Sequence, residues 1–356
     1  MSGSVEWQGG TAVVHAFNAS TRQRCNGKTP CDYLFHSTDH CPGCNSVFAG
    51  VHPIPSRMQT IGKVLAGIVV VVVMLLSTIY VFSTQTLNKH IEYSDASPPI
   101  PHDSAALARG RHLSRAISKC VECHGDDLGG QVVFDAMPMA QVVAPNLTSG
   151  RGGIGAARTD DDFLRAIRHG IGLGGRALVL MPARNYWHMG DADVSSLIAY
   201  IRTLPAVDRE LPPTKFGLVG RVLLLKGDLD PMFEAKAMDH VAKRPAPPAA
   251  DTTADYGRYL AEIGGCTGCH GPSLSGGPLP GAPPDAKPAT NITPEGIGSW
   301  TEADFFRALR EGVRPAGTAI DSTVMPIRLT REMTDAETKA IYMYLKTVPP
   351  KASGSR

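Results

Sequence analysis

Two pentapeptides constrain this chain more than anything else in it: Cys120-Val-Glu-Cys123-His124 and Cys266-Thr-Gly-Cys269-His270. Cys-x-x-Cys-His is the attachment signature of a c-type haem. Two thiols at that spacing reach the two vinyl groups on one edge of a porphyrin, and the adjacent imidazole meets the iron from one face. A single such pentapeptide also arises by chance or as half of a zinc site, so the surroundings of the two must decide.

Those surroundings repeat. Asn146-Leu-Thr148 corresponds to Asn291-Ile-Thr293, Gly153-Ile-Gly155 to Gly296-Ile-Gly298, and Arg165-Ala-Ile-Arg168 to Arg307-Ala-Leu-Arg310. Met181-Pro182 corresponds to Met325-Pro326, and Tyr200-Ile-Arg-Thr-Leu-Pro205 to Tyr344-Leu-Lys-Thr-Val-Pro349, with the offset drifting only between 142 and 146. An internal period changes the reading of the whole fold, and here it gives two homologous units at 104–206 and 251–350. Each reads as three helices joined by long loops. The first, over 103–119 and 255–265, leads into the pentapeptide. The second starts at Thr159-Asp-Asp-Asp162 and Thr301-Glu-Ala-Asp304, which fit the capping pattern of a Ser or Thr followed three residues later by an acid. It carries an apolar face of Phe163 and Ile167, or Phe305 and Leu309. The third starts after Gly190 and at Thr334, and ends at Pro205 and Pro349. The expected class is all-α, with haem forming much of each core.

Between Lys63 and Lys89 no residue is charged, and 64–82 is almost entirely apolar. Nineteen residues at ~1.5 Å each make a helix of roughly 28 Å, close to the ~30 Å hydrocarbon core of a bilayer. The run is longer than a signal-peptide core and lacks a clean cleavage site after it. It is read as a single transmembrane anchor, joined by a linker over 83–103 to the two repeats; Arg57 and Lys63 before it favour an inside N-terminus. The segment 207–250 separates the repeats. Within it 216–225 is apolar but too short, and too charged at Arg221, to span; it is expected to pack between the two domains.

The remaining cysteines, Cys25, Cys31, Cys41 and Cys44, lie in 1–63, before the anchor, with His36 and His40 among them. Thiolate and imidazole suit zinc, so a zinc knuckle is one reading of this segment; a disordered tail is another, and synthesis starting at Met58 a third. Eight cysteines in 356 residues are too few for a disulfide-built scaffold. A net charge of +2 without a Lys/Arg-rich run excludes a nucleic-acid partner.

A low-spin electron-transfer haem takes a second axial ligand, and a thioether raises its potential. Candidates are Met137, Met139, Met181 and Met189 in the first repeat, and Met325, Met333 and Met343 in the second. Met137 and Met139 have no counterpart. Met189 and Met333 do repeat, but sit where an apolar residue usually staples a helix start. Met181 and Met325 lie in loops stiffened by the following proline and are taken as the iron ligands opposite His124 and His270.

At this point the residues resemble the class I cytochrome c domain. The succession of Asn-[Leu/Ile]-Thr, Gly-Ile-Gly, Thr-x-x-Asp-Phe and Arg-Ala-[Ile/Leu]-Arg is similar to the membrane-bound cytochrome c subunits of periplasmic alcohol, aldehyde and gluconate dehydrogenases. The resemblance covers 104–350 and leaves 1–103 unmatched; members commonly carry three haem domains, whereas two are seen here. It implies two covalently bound haem c groups on the outer, periplasmic side of a bacterial cytoplasmic membrane. The expected function is electron transfer from a quinol-oxidising complex or periplasmic dehydrogenase to a downstream cytochrome or terminal oxidase, with no bond-making chemistry. A di-haem subunit of a haem–copper oxidase is the alternative. A di-haem peroxidase, which needs an open iron, fits less well with Met-Pro in both repeats. The first repeat has Ala157 where the second has Trp300, so the two haem sites need not be equivalent.

Overall fold

The computed structural model describes residues 56–93, 95–279 and 286–355. Helix α1, Ser56–Leu87, contains the apolar run. It is the one helix among the described residues long and apolar enough to cross a bilayer, and side chains from Val64 to Leu76 stand exposed along it. Cys25, Cys31, Cys41 and Cys44, with His36 and His40, lie outside the described residues. Among the described residues no cluster of three or more His, Cys, Asp or Glu side chains is placed to hold a metal.

The first repeat begins with α2, Ser104–His112, capped by Asp103, whose carboxylate accepts from the Ala106 amide. It continues into a π turn over Leu113–Ile117, then α3, Cys120–His124, strands β1, Gln131–Ala136, and β2, Ala140–Ala144, and helices α4, Asp160–His169, α5, Ala183–Tyr186, and α6, Asp191–Arg202. A connecting stretch adds β3, Lys215–Phe216, and α7, Leu218–Lys226. The second repeat holds α8, Ala254–Ile263, α9, Cys266–His270, α10, Pro294–Ile297, α11, Glu302–Glu311, α12, Ile327–Thr330, and α13, Asp335–Thr347.

The helix starts are chemically explicit. Full capping boxes form at Thr159/Asp162, Thr301/Asp304 and Thr334/Glu337; each cap stabilises its helix by about 1 kcal/mol. In both repeats the first helix crosses the last at a glycine. A Cβ on Gly110 would lie 2.0 Å from the Ser196 carbonyl oxygen on α6, and one on Gly257 1.9 Å from that of Ala340 on α13. From this glycine to the first cysteine the first repeat has one residue more than the second. The π turn absorbs it: the Ser118 amide bonds the Leu113 carbonyl at 2.8 Å, five residues back, which lets a helix take in one extra residue without losing its direction.

Both repeats share one core, in which Leu113, Ile117, Leu197 and Ile198 of the first join Tyr256, Leu260 and Ile341 of the second. Ion pairs border it. Arg109 holds Asp193 through two 2.9 Å bonds and reaches Glu337 at 3.1 Å, and His112 donates to Glu337 at 2.7 Å. Arg115 grips Glu332 at 2.8 and 2.9 Å.

Two expectations need correcting. The fold is helix-rich but not purely α: β1, β2 and β3 form an antiparallel sheet in that order, with Ala136 opposite Ala140 and Ala140 opposite Phe216. Extended β-branched stretches on both sides of Met137-Pro138 favour a hairpin there. The apolar segment 216–225 does not fill a space between the repeats. Its Gly220 sits over the Met139 carbonyl, its Leu224 packs with Leu229 and Phe233, and its Arg221 bonds Ser83 and Thr84 near the end of α1. The chain following α1 is also bound along the first repeat: the Ile91 amide donates to Gly175 O at 2.9 Å, and Asp95 pairs with Arg244 and the fully buried Arg168.

Candidate functional site

The two pentapeptides adopt the same structure. Each is one helical turn preceded by a left-handed residue, Lys119 with φ 52° and Gly265 with φ 72°, and followed by a glycine, Gly125 or Gly271, at nearly identical angles. The chain then turns tightly: the amides of Gly130 and Gly276 donate to the carbonyls of His124 and His270, both at 2.8 Å. Leu128 and Leu274 hold positive φ, 53° and 62°, costly for leucine, while burying their side chains. At Gly130 and Gly276 a Cβ would meet backbone at 2.6 and 2.3 Å, so only glycine fits under the next strand of chain.

The histidines are oriented for a ligand. His124 Nδ1 lies 2.9 Å from Pro145 O, and His270 Nδ1 2.7 Å from Thr290 O. A carbonyl only accepts, so each Nδ1 carries the proton and each Nε2 presents a lone pair. Fixing the tautomer from behind is what metal-ligating imidazoles generally require. Burial lowers the affinity of both rings for a second proton, against the opposing effect of those carbonyls, and keeps them in the neutral, ligating form. Burial likewise pushes the Cys120 thiol up to about 12, with Cys123 adding to it, and raises Cys123 and Cys266. Cys120, Cys123 and Cys266 form no disulfide. Two thiols, a neutral imidazole with a directed lone pair and a glycine-cleared turn fit covalently attached haem c in both repeats.

The methionines separate into two groups. Met189 and Met333 are buried at the helix starts, and their carbonyls accept from Arg168 and Arg310; they are packing residues. Met181 and Met325 sit half-exposed at the margin of the core, beside which Cys120 and Cys266 also lie. Each is held by an inverse γ-turn centred on its proline: Ala183 N donates to Met181 O at 2.8 Å and Ile327 N to Met325 O at 2.7 Å, with Pro182 at φ −80°, ψ 58° and Pro326 at φ −76°, ψ 64°. That is the low-energy γ conformation, and proline already supplies its φ. Met137 and Met343 are exposed.

Other repeated motifs prove to be scaffolding. In each Asn-x-Thr the asparagine oxygen accepts from the threonine amide and hydroxyl, while its amide donates at 2.7 Å to Val207 O or Lys351 O. The motif ties the haem-side loop to the chain leaving the last helix. Arg202 and Lys346 clamp that helix to Gly155 O and Gly298 O. Trp300 is half-buried against the core, its carbonyl bonded by Tyr342, whereas Ala157 is exposed.

The residues that join the two sites were not singled out from the sequence. Asn185, four residues beyond Met181, donates to Glu262 O and to Thr267 inside the second pentapeptide, at 3.0 and 2.8 Å. Arg328, three residues beyond Met325, pairs with Glu122 inside the first and with Asp126 just beyond it. Lys119 spans the join, its ammonium donating to Ile117 O at 2.8 Å and Gly264 O at 2.9 Å. The one visible signal was that a lysine occupies the left-handed position filled by glycine in the second repeat.

Residues 105–201 match the family described as cytochrome c oxidase, cbb3-type, subunit III, and residues 254–349 match the cytochrome c family. Among curated proteins the chain is 30% identical to the fructose dehydrogenase cytochrome subunit of Gluconobacter japonicus, over 76% of this chain and 58% of that one. It is 29% identical to the gluconate 2-dehydrogenase cytochrome c subunit of Pantoea cypripedii, over 70% and 61%. It is also 28% identical to a diheme cytochrome c-type protein of Cereibacter sphaeroides, over 58% and 70%. The chain thus spans about three-fifths of the length of the two dehydrogenase subunits.

Proposed function

Because the chain carries two cytochrome c domains, which imply covalently bound haem c, we propose that it is a membrane-anchored electron-transfer subunit. Its partner is a periplasmic dehydrogenase or quinol-oxidising complex on one side, and a downstream cytochrome or terminal oxidase on the other. Cys120 and Cys123, and Cys266 and Cys269, would form the thioether links, and His124 with Met181, and His270 with Met325, would ligate the two irons. Bound there, haem supplies a reversible one-electron iron couple. The protein residues supply everything around it. Pro145 O and Thr290 O hold the imidazoles in one tautomer, the Met-Pro γ-turns limit how far the thioethers can move, and the shared core keeps water from the buried side of each site. With two protein ligands assigned to each iron, outer-sphere transfer is the available chemistry, and peroxidase turnover, which needs an open iron, is disfavoured in both repeats alike.

The observation that carries this reading is the reciprocal contact of the two sites. The short helix after each Met-Pro touches the other repeat's pentapeptide, through Asn185 to Thr267 and Arg328 to Glu122. Such an arrangement supports a relay within one chain, with α1 holding it at the membrane, N-terminus inside. The similarity to dehydrogenase cytochrome subunits favours a dehydrogenase donor. The match of the first repeat to an oxidase subunit supports the second reading, a di-haem subunit of a haem–copper oxidase. Copurification from native membranes separates them: a dehydrogenase that reduces the haems on addition of its substrate is expected, and a haem–copper oxidase in its place overturns the first reading.

A further inference from the structure

The helix α7 presents an apolar face to the outside. Leu218, Val219, Val222 and Leu225 are 50%, 47%, 38% and 42% exposed, and at 100° per residue they fall within one sector of the helix. The opposite sector, Gly220 and Leu224, is buried against the sheet and Phe233. Met137, at the β1–β2 turn, extends the patch: its methyl group lies beside Gly217, and it is 47% exposed.

The patch has a fixed height on α1. Arg221 stacks its guanidinium 4.0 Å above the Tyr80 ring and donates to Ser83 at 2.8 Å and Thr84 at 3.1 Å. Leu87 packs against the cluster under α7. Counting from Lys63, about 20 residues of helix cross a hydrocarbon core of ~30 Å, which places its outer boundary at Tyr80 to Ser83. A tyrosine there is at the level such residues prefer. The globular part therefore grips α1 at the boundary itself, not beyond it.

We propose that α7 and the Met137 turn form a second membrane contact, lying in the outer interface of the bilayer that α1 crosses, so that the first repeat is seated on the lipid rather than swinging from a tether. The occupant of the patch is lipid: the apolar face continues the exposed apolar surface of α1 at the same depth. Lys215, exposed just before α7, is placed to reach phosphates, as basic residues flanking an interfacial helix do, while Lys226 at the far end pairs with Asp228 at 2.8 Å. The contact fixes which way the two haem sites face and how far they stand from membrane partners.

This inference rests on α1 spanning the bilayer, and the test keeps the two apart. A photoreactive phenylalanine analogue is placed, in separate full-length haem-loaded proteins, at Val222, at Val72 in the middle of α1, and at the exposed Met343 of the second repeat. Each is reconstituted into vesicles of phosphatidylethanolamine and phosphatidylglycerol, irradiated, and analysed for lipid adducts by mass spectrometry; an unchanged haem spectrum verifies folding. The expected result is lipid adducts at Val222 in a yield comparable to Val72 and several-fold above Met343. Adducts at Val72 with Val222 no higher than Met343 overturn the seating while α1 still spans. No adducts at Val72 overturn both. Protein adducts at Val222 in native membranes, without lipid adducts in vesicles, also overturn it and assign the patch to a partner subunit.

Discussion

The glycine crossing can be tested by adding one methyl group. In Gly257→Ala the new Cβ would start 1.9 Å from Ala340 O, and in Gly110→Ala 2.0 Å from Ser196 O, where ordinary contact begins at 3.4 Å. The last helix must therefore retreat by about 1.5 Å in Gly257→Ala and about 1.4 Å in Gly110→Ala, against a close-packed core. Overpacking of this kind costs about 1–3 kcal/mol, and the upper end applies because the obstacle is backbone, which cannot rotate away. Alanine returns about 1 kcal/mol as a better helix former than glycine. The net loss is about 2 kcal/mol, or roughly 4–8 °C at ~2–4 °C per kcal/mol for a cooperative unit of about 250 residues that shares one core. The control is Gly268→Ala in the second pentapeptide, where the nearest atom to a Cβ is 3.9 Å away. Thermal unfolding of the detergent-solubilised holoprotein, followed by helical dichroism, should show both crossing variants lowered and the control within a few degrees of the parent. Equal behaviour of Gly257→Ala and Gly268→Ala would refute the close crossing as a constraint on the fold.

Met181→Ala and Met325→Ala should each remove the sulfur–iron charge-transfer band of one haem and lower that haem's potential, while the thioether links persist; retention of the full band in either variant rejects that ligand. Asn146→Ala leaves the buried Thr148 amide and the Val207 carbonyl short of partners, at about 1–3 kcal/mol for each group. Asn291→Ala should cost a similar amount in the second repeat, both read from denaturant unfolding. Stability should also depend on pH through Glu337. Burial pushes its carboxyl up, but His112, the Thr334 amide and Arg109 outweigh burial and hold it below its usual 4.5. A depressed carboxylate contributes stability that is complete above the unfolded value and is lost as pH falls through the folded one. Unfolding temperature should therefore be flat on this account above about pH 5 and decline below ~4, and Glu337→Gln should shrink that decline.

Much of the candidate site was legible because its chemistry is local. The pentapeptides, Met-Pro and the Thr-x-x-acid helix starts are short segments whose spacing alone specifies bonding, and duplication distinguished them from coincidence. The single-residue drift beside Cys120 was visible too, but nothing local shows that a π turn absorbs it. What escaped depends on contacts between distant segments. β3 joins β2 from more than seventy residues away, Asn185 and Arg328 act on the opposite repeat, and Gly110 and Gly257 are needed only because another helix passes over them. The segment 216–225 looked like filling between domains because its apolar content was readable and its partner was not: Arg221, which argues against a membrane span, is the residue that binds it to α1.

The central claim is that both pentapeptides carry haem c. It is tested most directly by intact-mass and pyridine haemochrome analysis of the full chain matured in a cytochrome c-assembling host, alongside Cys120→Ala/Cys123→Ala and Cys266→Ala/Cys269→Ala. Two covalently bound haems per parent chain and one in each double variant are the predicted result. A parent chain with fewer than two, or a double variant that keeps both, would contradict the account.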